Sequence, residues 1–421
     1  MLDAGRILQW IDSIPPPRLT KRHRSSPSPS PSPPTKKRKR CRLPTPTMSS
    51  STGTPSKRPR LPADESDEFD EMATPRAVPQ VPAPKRSRTQ SSQSSSSVSS
   101  SACKSPAKTL AKLAISVDTV PVSYEDILPR ASQVLGPALH RLATNLPDET
   151  FPRNIVPQSL KPKLSEYSWF QPSNVPEQTY YQDIRPLDDA KVELSAVQDI
   201  VTYSRILKME RGSEASWNDW VHSPVLHLAL RGHSKVGYRN VTTASISPRE
   251  LLAQLSGPGI QPLANNATRM VDYAMYVDLT ESRRLRAFLA DCNAESVNAT
   301  AYEGLCTRPI AVSIETKKPE TADTNKALTQ LTVWMILHFK RLQQLIPNKQ
   351  LPGVPMILVL GSYWDLYFYI PNGNNHPDII GPINIGRTES YLQTYRLLAS
   401  LRVVAEWAAT AFDEWWSEAL L

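Results

Sequence analysis

Residues 309–319 read PIAVSIETKKP, an apolar run that closes on an acid, a threonine and two lysines before a proline. The run predicts a strand over about 309–317. Side chains alternate across a strand, so Ser313, Glu315 and Lys317 share one face, and Val312, Ile314 and Thr316 the other. Glu315 and Lys317 then point into one space at the strand's C-terminal end, while Lys318 turns away from it. An acid two residues from a lysine is common, and Asp189-Ala190-Lys191 is a second instance in this chain. What sets Glu315 and Lys317 apart is their position, behind residues that belong in a core.

A strand is also predicted over about 269–279, RMVDYAMYVDL, and it changes the reading. Asp272 lies inside its apolar segment, where an unpaired charge is costly and calls for a metal or a partner. On neighbouring strands, Asp272 and Glu315 would offer two hard oxygen ligands for Mg²⁺, with Glu214 as a third acid. Such a set suits hydrolysis of a phosphodiester. Carboxylates hold one or two metal ions, which lower the pKa of a bound water and shield the charge of the transition state. Lys317 would orient or help deprotonate that water, or stabilise the developing charge, and its pKa decides which.

Four neighbours carry double readings. Asp278 is an alternative ligand or a strand-end cap. His222 positions a phosphate or water, or is hydrogen-bonded structure. Gln330 and Trp334, one helical turn apart, orient Lys317 or a nucleotide, or only pack. Trp407, Trp415 and Trp416 read as core and surface cover rather than stacking platforms.

Around these strands, short helices broken by Pro129 and Pro137 are expected over 123–145, then a proline-rich connector to about 190. Helices follow over about 190–209 and 213–231, the second capped by Ser213 and kinked at Pro224. In the second, Glu214, Trp217, Val221, Val225 and Leu228 share one face. A strand at 238–246 precedes the two already described. After them come a helix at 322–345, strands at 355–361, 363–370 and 379–385, and a closing helix at 389–416. The order implies an α/β fold, a mixed sheet with helices packed on it.

The 421 residues are not uniform. Residues 1–110 hold 20 Lys and Arg against 8 Asp and Glu, leaving 29 against 32 for the rest, so the sequence pI of 9.3 describes the tail. Residues 1–112, rich in Ser, Pro, Lys and Arg, bury too little apolar surface to offset the entropy of ordering and read as disordered. Lys36-Lys37-Arg38-Lys39-Arg40, with Lys57-Arg58-Pro59-Arg60 and Lys85-Arg86-Ser87-Arg88, has the form of a nuclear-import signal, implying an import receptor as partner and the nucleus as location. The same charges suit a salt-sensitive tether to DNA phosphates, which phosphorylated Ser-Pro repeats would weaken. Residues 5–14, GRILQWIDSI, form a short apolar face for docking or an idle end.

Cys41, Cys103, Cys292 and Cys306 show neither a zinc spacing nor a disulfide framework, and a reducing compartment fits. No run of about 18 uncharged apolar residues suggests a membrane span. The sequons at Asn240, Asn266 and Asn298 read as chance.

Taken in order, several phrases resemble the PD-(D/E)XK nuclease superfamily, and more closely its fungal nuclease-like proteins. They are E-x-x-W-x-x-x-V-H in SEASWNDWVH, V-D-Y in RMVDYAMYV, P-I-x-x-x-I-E-T-K-K-P, Q-L-x-x-W in QLTVW, and I-G-x-T in NIGRTES. The likeness covers about residues 120–421. It implies a restriction-endonuclease-like core over 113–421, a central mixed sheet flanked by helices, preceded by the long disordered N-terminal tail. It also implies Asp272 and Glu315 as metal ligands with Glu214 as the acid of the first core helix, Lys317 as the catalytic lysine, Gln330 as the polar residue of the helix after the motif, Mg²⁺ or Mn²⁺ as the metal, and DNA as substrate. Two departures stand: Val271 occupies the place of the name-giving proline, and Glu315 follows Asp272 only after about 43 residues, implying an inserted helix and loop. Neither removes a reactive group. The rival readings are a catalytically inactive DNA-binding or protein-interaction module on this fold, and a nuclear scaffold that works through its tail.

Overall fold

Six strands form one sheet in the order in which they occur along the chain. They are β1 (Val236–Asn240), β2 (Tyr273–Val277), β3 (Ile310–Lys317), β4 (Val354–Leu360), β5 (Tyr363–Ile370) and β6 (Asp378–Arg387). Neighbours pair antiparallel except β3 and β4, which are parallel. A parallel pair needs a crossover, and here it is a long helix. The computed structural model describes residues 121–167, 175–182, 186–253, 271–319, 324–372 and 377–421. The basic tail with its import-like clusters, the Ser-Pro repeats and the face at 5–14 lie outside the described residues.

The longer helices among the described residues are α1 (Ala131–Asn145), α2 (Leu187–Glu210), α3 (residues 214–230), α4 (Arg283–Asp291), α5 (Thr324–Leu345) and α6 (Tyr391–Trp407), the last running on to Ala419. α1 keeps the break expected at Pro137: Gly136, at φ 72°, kinks the helix just before the proline. α3 starts on the Ser213 side chain, which accepts from Ser216 N–H at 3.1 Å. Trp217, Val221, Val225 and Leu228 are buried along one face of it, as their spacing requires. The irregularity anticipated at Pro224 takes another form, a π turn at Asn218–His222. Proline lacks the N–H that would continue the ladder, and the wider turn before it absorbs the mismatch. α5 is buried nearly all round, which suits a helix pressed onto the middle of a sheet.

Two strands are shorter than the periodicity suggests. β1 ends at Asn240, whose side-chain oxygen accepts from the N–H and hydroxyl of Thr242. This local turn competes with the ladder and wins. β2 begins at Tyr273, so Asp272 and Asp278 flank it instead of lying within it. Asp272 is nonetheless tied on both sides: its N–H bonds the Ile314 carbonyl at 3.0 Å and its own carbonyl accepts from Val241 at 2.7 Å.

The inserted segment between β2 and β3 contains α4 and closes on Asn298. That fully buried amide donates to the carbonyls of Leu305 and Arg308, at 2.6 and 2.9 Å, and accepts from the Ile310 N–H at 2.9 Å. Both amide hydrogens are used, so this sequon has none to offer a glycan in the folded chain. Among the described residues, no helix is long and apolar enough to cross a membrane.

Candidate active site

β3 is clamped between two helices, and each of its faces meets a different one. On one face three rungs join it to α5: Gln330 Nε2 donates to Glu315 Oε1 at 2.8 Å, Trp334 Nε1 donates to Ser313 Oγ at 3.0 Å, and His338 is hydrogen-bonded to the backbone of Ile310. The match is geometric. Four residues of helix rise about 6 Å and two residues of strand about 6.6 Å, so side chains one turn apart meet alternate strand positions. On the other face Thr316 Oγ1 lies 2.9 Å from Asn218 Oδ1, on the π turn of α3. The alternation inferred for 309–317 is therefore realised.

Asp272 reaches β3 from the neighbouring strand. The antiparallel register sets Tyr273 against Ile314, which brings Asp272 beside Glu315. Asp272 Oδ2 takes two hydrogen bonds, from the Thr316 N–H and the Thr316 hydroxyl, both 2.8 Å. Glu315, 1% exposed, binds Lys317 Nζ and Gln330 through Oε1, while Oε2 has no hydrogen-bond partner. Lys317 Nζ also bonds the Thr316 carbonyl at 2.9 Å and lies 3.5 Å from Glu214 Oε2. Glu214 thus stands against the lysine. Among the described residues no three His, Cys, Asp or Glu side chains are grouped closely enough to hold a metal.

Burial, then the charge of Asp272, pushes the Glu315 carboxyl well above its usual range. Burial also raises Glu214, against the pull of Lys317. For Lys317, burial alone would favour the neutral amine, but Glu315, Glu214 and Asp272 together outweigh it and the pKa is raised. The lysine is an ammonium at neutral pH. In that state it can orient a group and stabilise charge.

The remaining candidates separate clearly. His222 is fully buried between the rings of Trp217 and Trp364 and bonded to Asn218 and the Gly361 carbonyl, so it meets neither phosphate nor solvent. Trp334 is buried and bonded to Ser313, which leaves it no face for a nucleotide. Asp278 pairs with Arg308 at 3.0 Å and accepts from Thr280, the strand-end role. Trp407 and Trp416 are buried, and Trp415 donates to the Gln350 carbonyl with Lys349 over its ring. The second acid-x-lysine triplet lies on α2, where positions two apart face differently, and Lys191 pairs instead with Asp188 at 3.0 Å. A cavity of about 960 Å³ opens elsewhere, lined by Asp148, Arg153, Tyr181 and Arg402 among others, and Glu214, Asp272 and Glu315 are not among its lining residues.

Two residues of the constellation went unread in the sequence. Alternation puts Thr316 on the face away from Glu315 and Lys317, yet its backbone and hydroxyl hold Asp272. Asn218 had a visible signal, its place four residues before His222 and four after Glu214 on one helix.

Fold and site together define a class: an α/β protein with a carboxylate pair and a lysine gathered at the end of a mid-sheet strand. Residues 157–413 match the PD-(D/E)XK nuclease superfamily, and the chain belongs to it. Membership carries a restriction-endonuclease-like fold, a divalent metal as the usual cofactor, and nucleic acid as the kind of substrate. Among curated proteins and among solved structures, nothing matches the chain.

Proposed function

We propose that this protein is a Mg²⁺-dependent nuclease that hydrolyses DNA phosphodiester bonds, with Mn²⁺ able to replace Mg²⁺. The observation that carries the reading is the buried Glu315 carboxylate, one oxygen without a partner, beside Asp272 and ahead of an ammonium. An ionised group so placed is costly unless a cation completes it. Carboxylate oxygens suit a hard cation, and Mg²⁺ is commonly held by only one or two carboxylates with waters and substrate oxygens filling the rest. The donor set therefore fits without a third acid.

Asp272 and Glu315 would hold the metal, which when bound supplies Lewis acidity and an activated water. Gln330 fixes one oxygen of Glu315 by donating to it. Lys317, protonated, offers its charge to the phosphate as negative charge builds there, and Glu214, 3.5 Å away, helps keep the ammonium in place. In the nucleus, the basic tail would add affinity for DNA without choosing a sequence.

Cleavage of plasmid and linear DNA by the full-length protein tests this. Mg²⁺-dependent cutting that disappears in Asp272→Ala and in Lys317→Ala supports it. Salt-sensitive binding without cutting under any divalent ion makes the domain a binding module instead, and binding that leaves with residues 1–112 makes the tail the working part.

A further inference from the structure

Asn218, His222 and Thr316 form a line of buried polar groups behind Asp272, and the hydrogens in it can be counted. The Gly361 carbonyl, 2.8 Å from His222 Nε2, can only accept, so Nε2 carries a proton. The ring is fully buried among aromatic side chains with no carboxylate among its hydrogen-bond partners, surroundings that hold it neutral. Nδ1 is then an acceptor. The Asn218 atom 2.8 Å from it must bring a hydrogen.

Thr316 gives the same answer independently. Its one hydroxyl proton lies between Asp272 Oδ2 at 2.8 Å and that same Asn218 atom at 2.9 Å. With the amide oxygen in that place, one proton faces two acceptors. With the amide nitrogen there, its two hydrogens go to His222 Nδ1 and Thr316 Oγ1, and the threonine proton goes to Asp272. The other end of the amide makes no hydrogen bond to a described residue, so turning it gives up nothing.

We propose that Asn218, His222 and Thr316 are positioning residues in a buried relay: Asn218, anchored through His222 on the Gly361 carbonyl, donates both to His222 Nδ1 and to Thr316 Oγ1, which turns the threonine proton onto Asp272 Oδ2 and reserves Oδ1 for the cation. The proposal rests on the metal-dependent reading of Asp272 and Glu315. Its anchor is also fixed on the other side, because the Gly361 N–H bonds the Lys317 carbonyl at 2.8 Å. One turn between β4 and β5 therefore holds the backbone of the lysine and, through the relay, the carboxylate of the aspartate.

The test uses the full-length protein with ¹⁵N-labelled histidine, together with Mn²⁺ titration by calorimetry. His222, assigned by loss of its signal in His222→Gln, is expected as the neutral Nε2–H tautomer with a hydrogen-bonded Nδ1, and Asn218→Asp is expected to change that signature. Thr316→Val, folded by circular dichroism, should bind Mn²⁺ roughly 10- to 100-fold more weakly, and Thr316→Ser should restore affinity. A charged or Nδ1–H His222 in the wild type overturns the relay, as does wild-type Mn²⁺ affinity in Thr316→Val. A wild-type chain that binds no Mn²⁺ overturns the metal reading, and the positioning role with it, whatever the tautomer. Mn²⁺ binding with the wrong tautomer overturns the relay alone.

Discussion

Replacing Glu315 with glutamine should make the metal-free protein more stable while ending its function. In the wild type, Oε1 accepts from Lys317 and Gln330, Oε2 has no partner, and Asp272 adds like charge nearby. An amide keeps the accepting oxygen and puts a donor where the unpartnered oxygen was, in the field of the Asp272 carboxylate. Weakening the charge-assisted bond to Lys317 loses about 1 kcal/mol, and the ammonium still has Glu214 at 3.5 Å. Removing a buried, unsatisfied charged oxygen regains about 1–3 kcal/mol, with relief of the like-charge contact added. The balance is a gain of about 1–2 kcal/mol, a rise in Tm of about 2–6 °C for a domain of this size. Thermal unfolding of both proteins in EDTA reads it directly. Repeating the melts in Mg²⁺ should raise only the wild type, by about 2.7 kcal/mol at a hundredfold excess over Kd. A variant that melts below the wild type in EDTA would refute the reasoning, because the carboxylate would then stabilise the fold without a metal.

Acid should weaken the fold through two histidines. Full burial holds His222 and His338 at a pKa of about 4, against about 6.5 unfolded. The unfolded chain therefore takes up these protons first, and stability falls as pH drops from about 6.5 to 4, by about 3 kcal/mol per ring. Glu315, with its raised pKa, works in the opposite direction, so the comparison of wild type with His338→Gln by urea denaturation across pH isolates one ring; an identical pH slope in the two would count against it. Gly361→Ala should cost about 1–3 kcal/mol and lower any DNA cleavage, since φ is +58° and an added Cβ would lie 2.3 Å from Pro319 Cγ; a wild-type urea midpoint would contradict this. Ser313→Ala strands the buried Trp334 indole N–H and should cost about 1–3 kcal/mol by the same assay, with no loss if another acceptor takes it.

The sheet was largely legible because its evidence is periodic. β3, β4 and β5 begin and end within a residue or so of where alternation puts them, and the inward face of α3 follows helical spacing. Boundaries went astray where a side chain competes with the backbone, as at Asn240, and where a proline is accommodated one turn ahead of itself, as before Pro224. Alternation alone placed Glu315 and Lys317 together, the family phrases had already named Gln330 and Glu214, and the structure sets Gln330 on the glutamate and Glu214 on the lysine. The support of Asp272 was illegible for a definite reason. It depends on the backbone N–H of Thr316, which has no sequence signature, and on which end of the Asn218 amide faces inward, which only the three-dimensional partners decide. The position of Glu214 against the lysine, apart from the acid pair, is likewise a matter of side-chain packing that spacing cannot give.

Asn298 closes the segment between β2 and β3 on itself just before Ile310, and this separates the length of that segment from the geometry of the two acids. Each doubling of a flexible loop costs only about 0.6 kcal/mol, and the exposed turn at residues 291–293 lies beyond the closure. A reporter or affinity module grafted there should leave Asp272 and Glu315 where they are. By the same token, chain distance between the two acids is a poor quantity to hold constant when sequences are searched for sites of this kind. The residues to hold constant are those that face each other across the β2–β3 ladder.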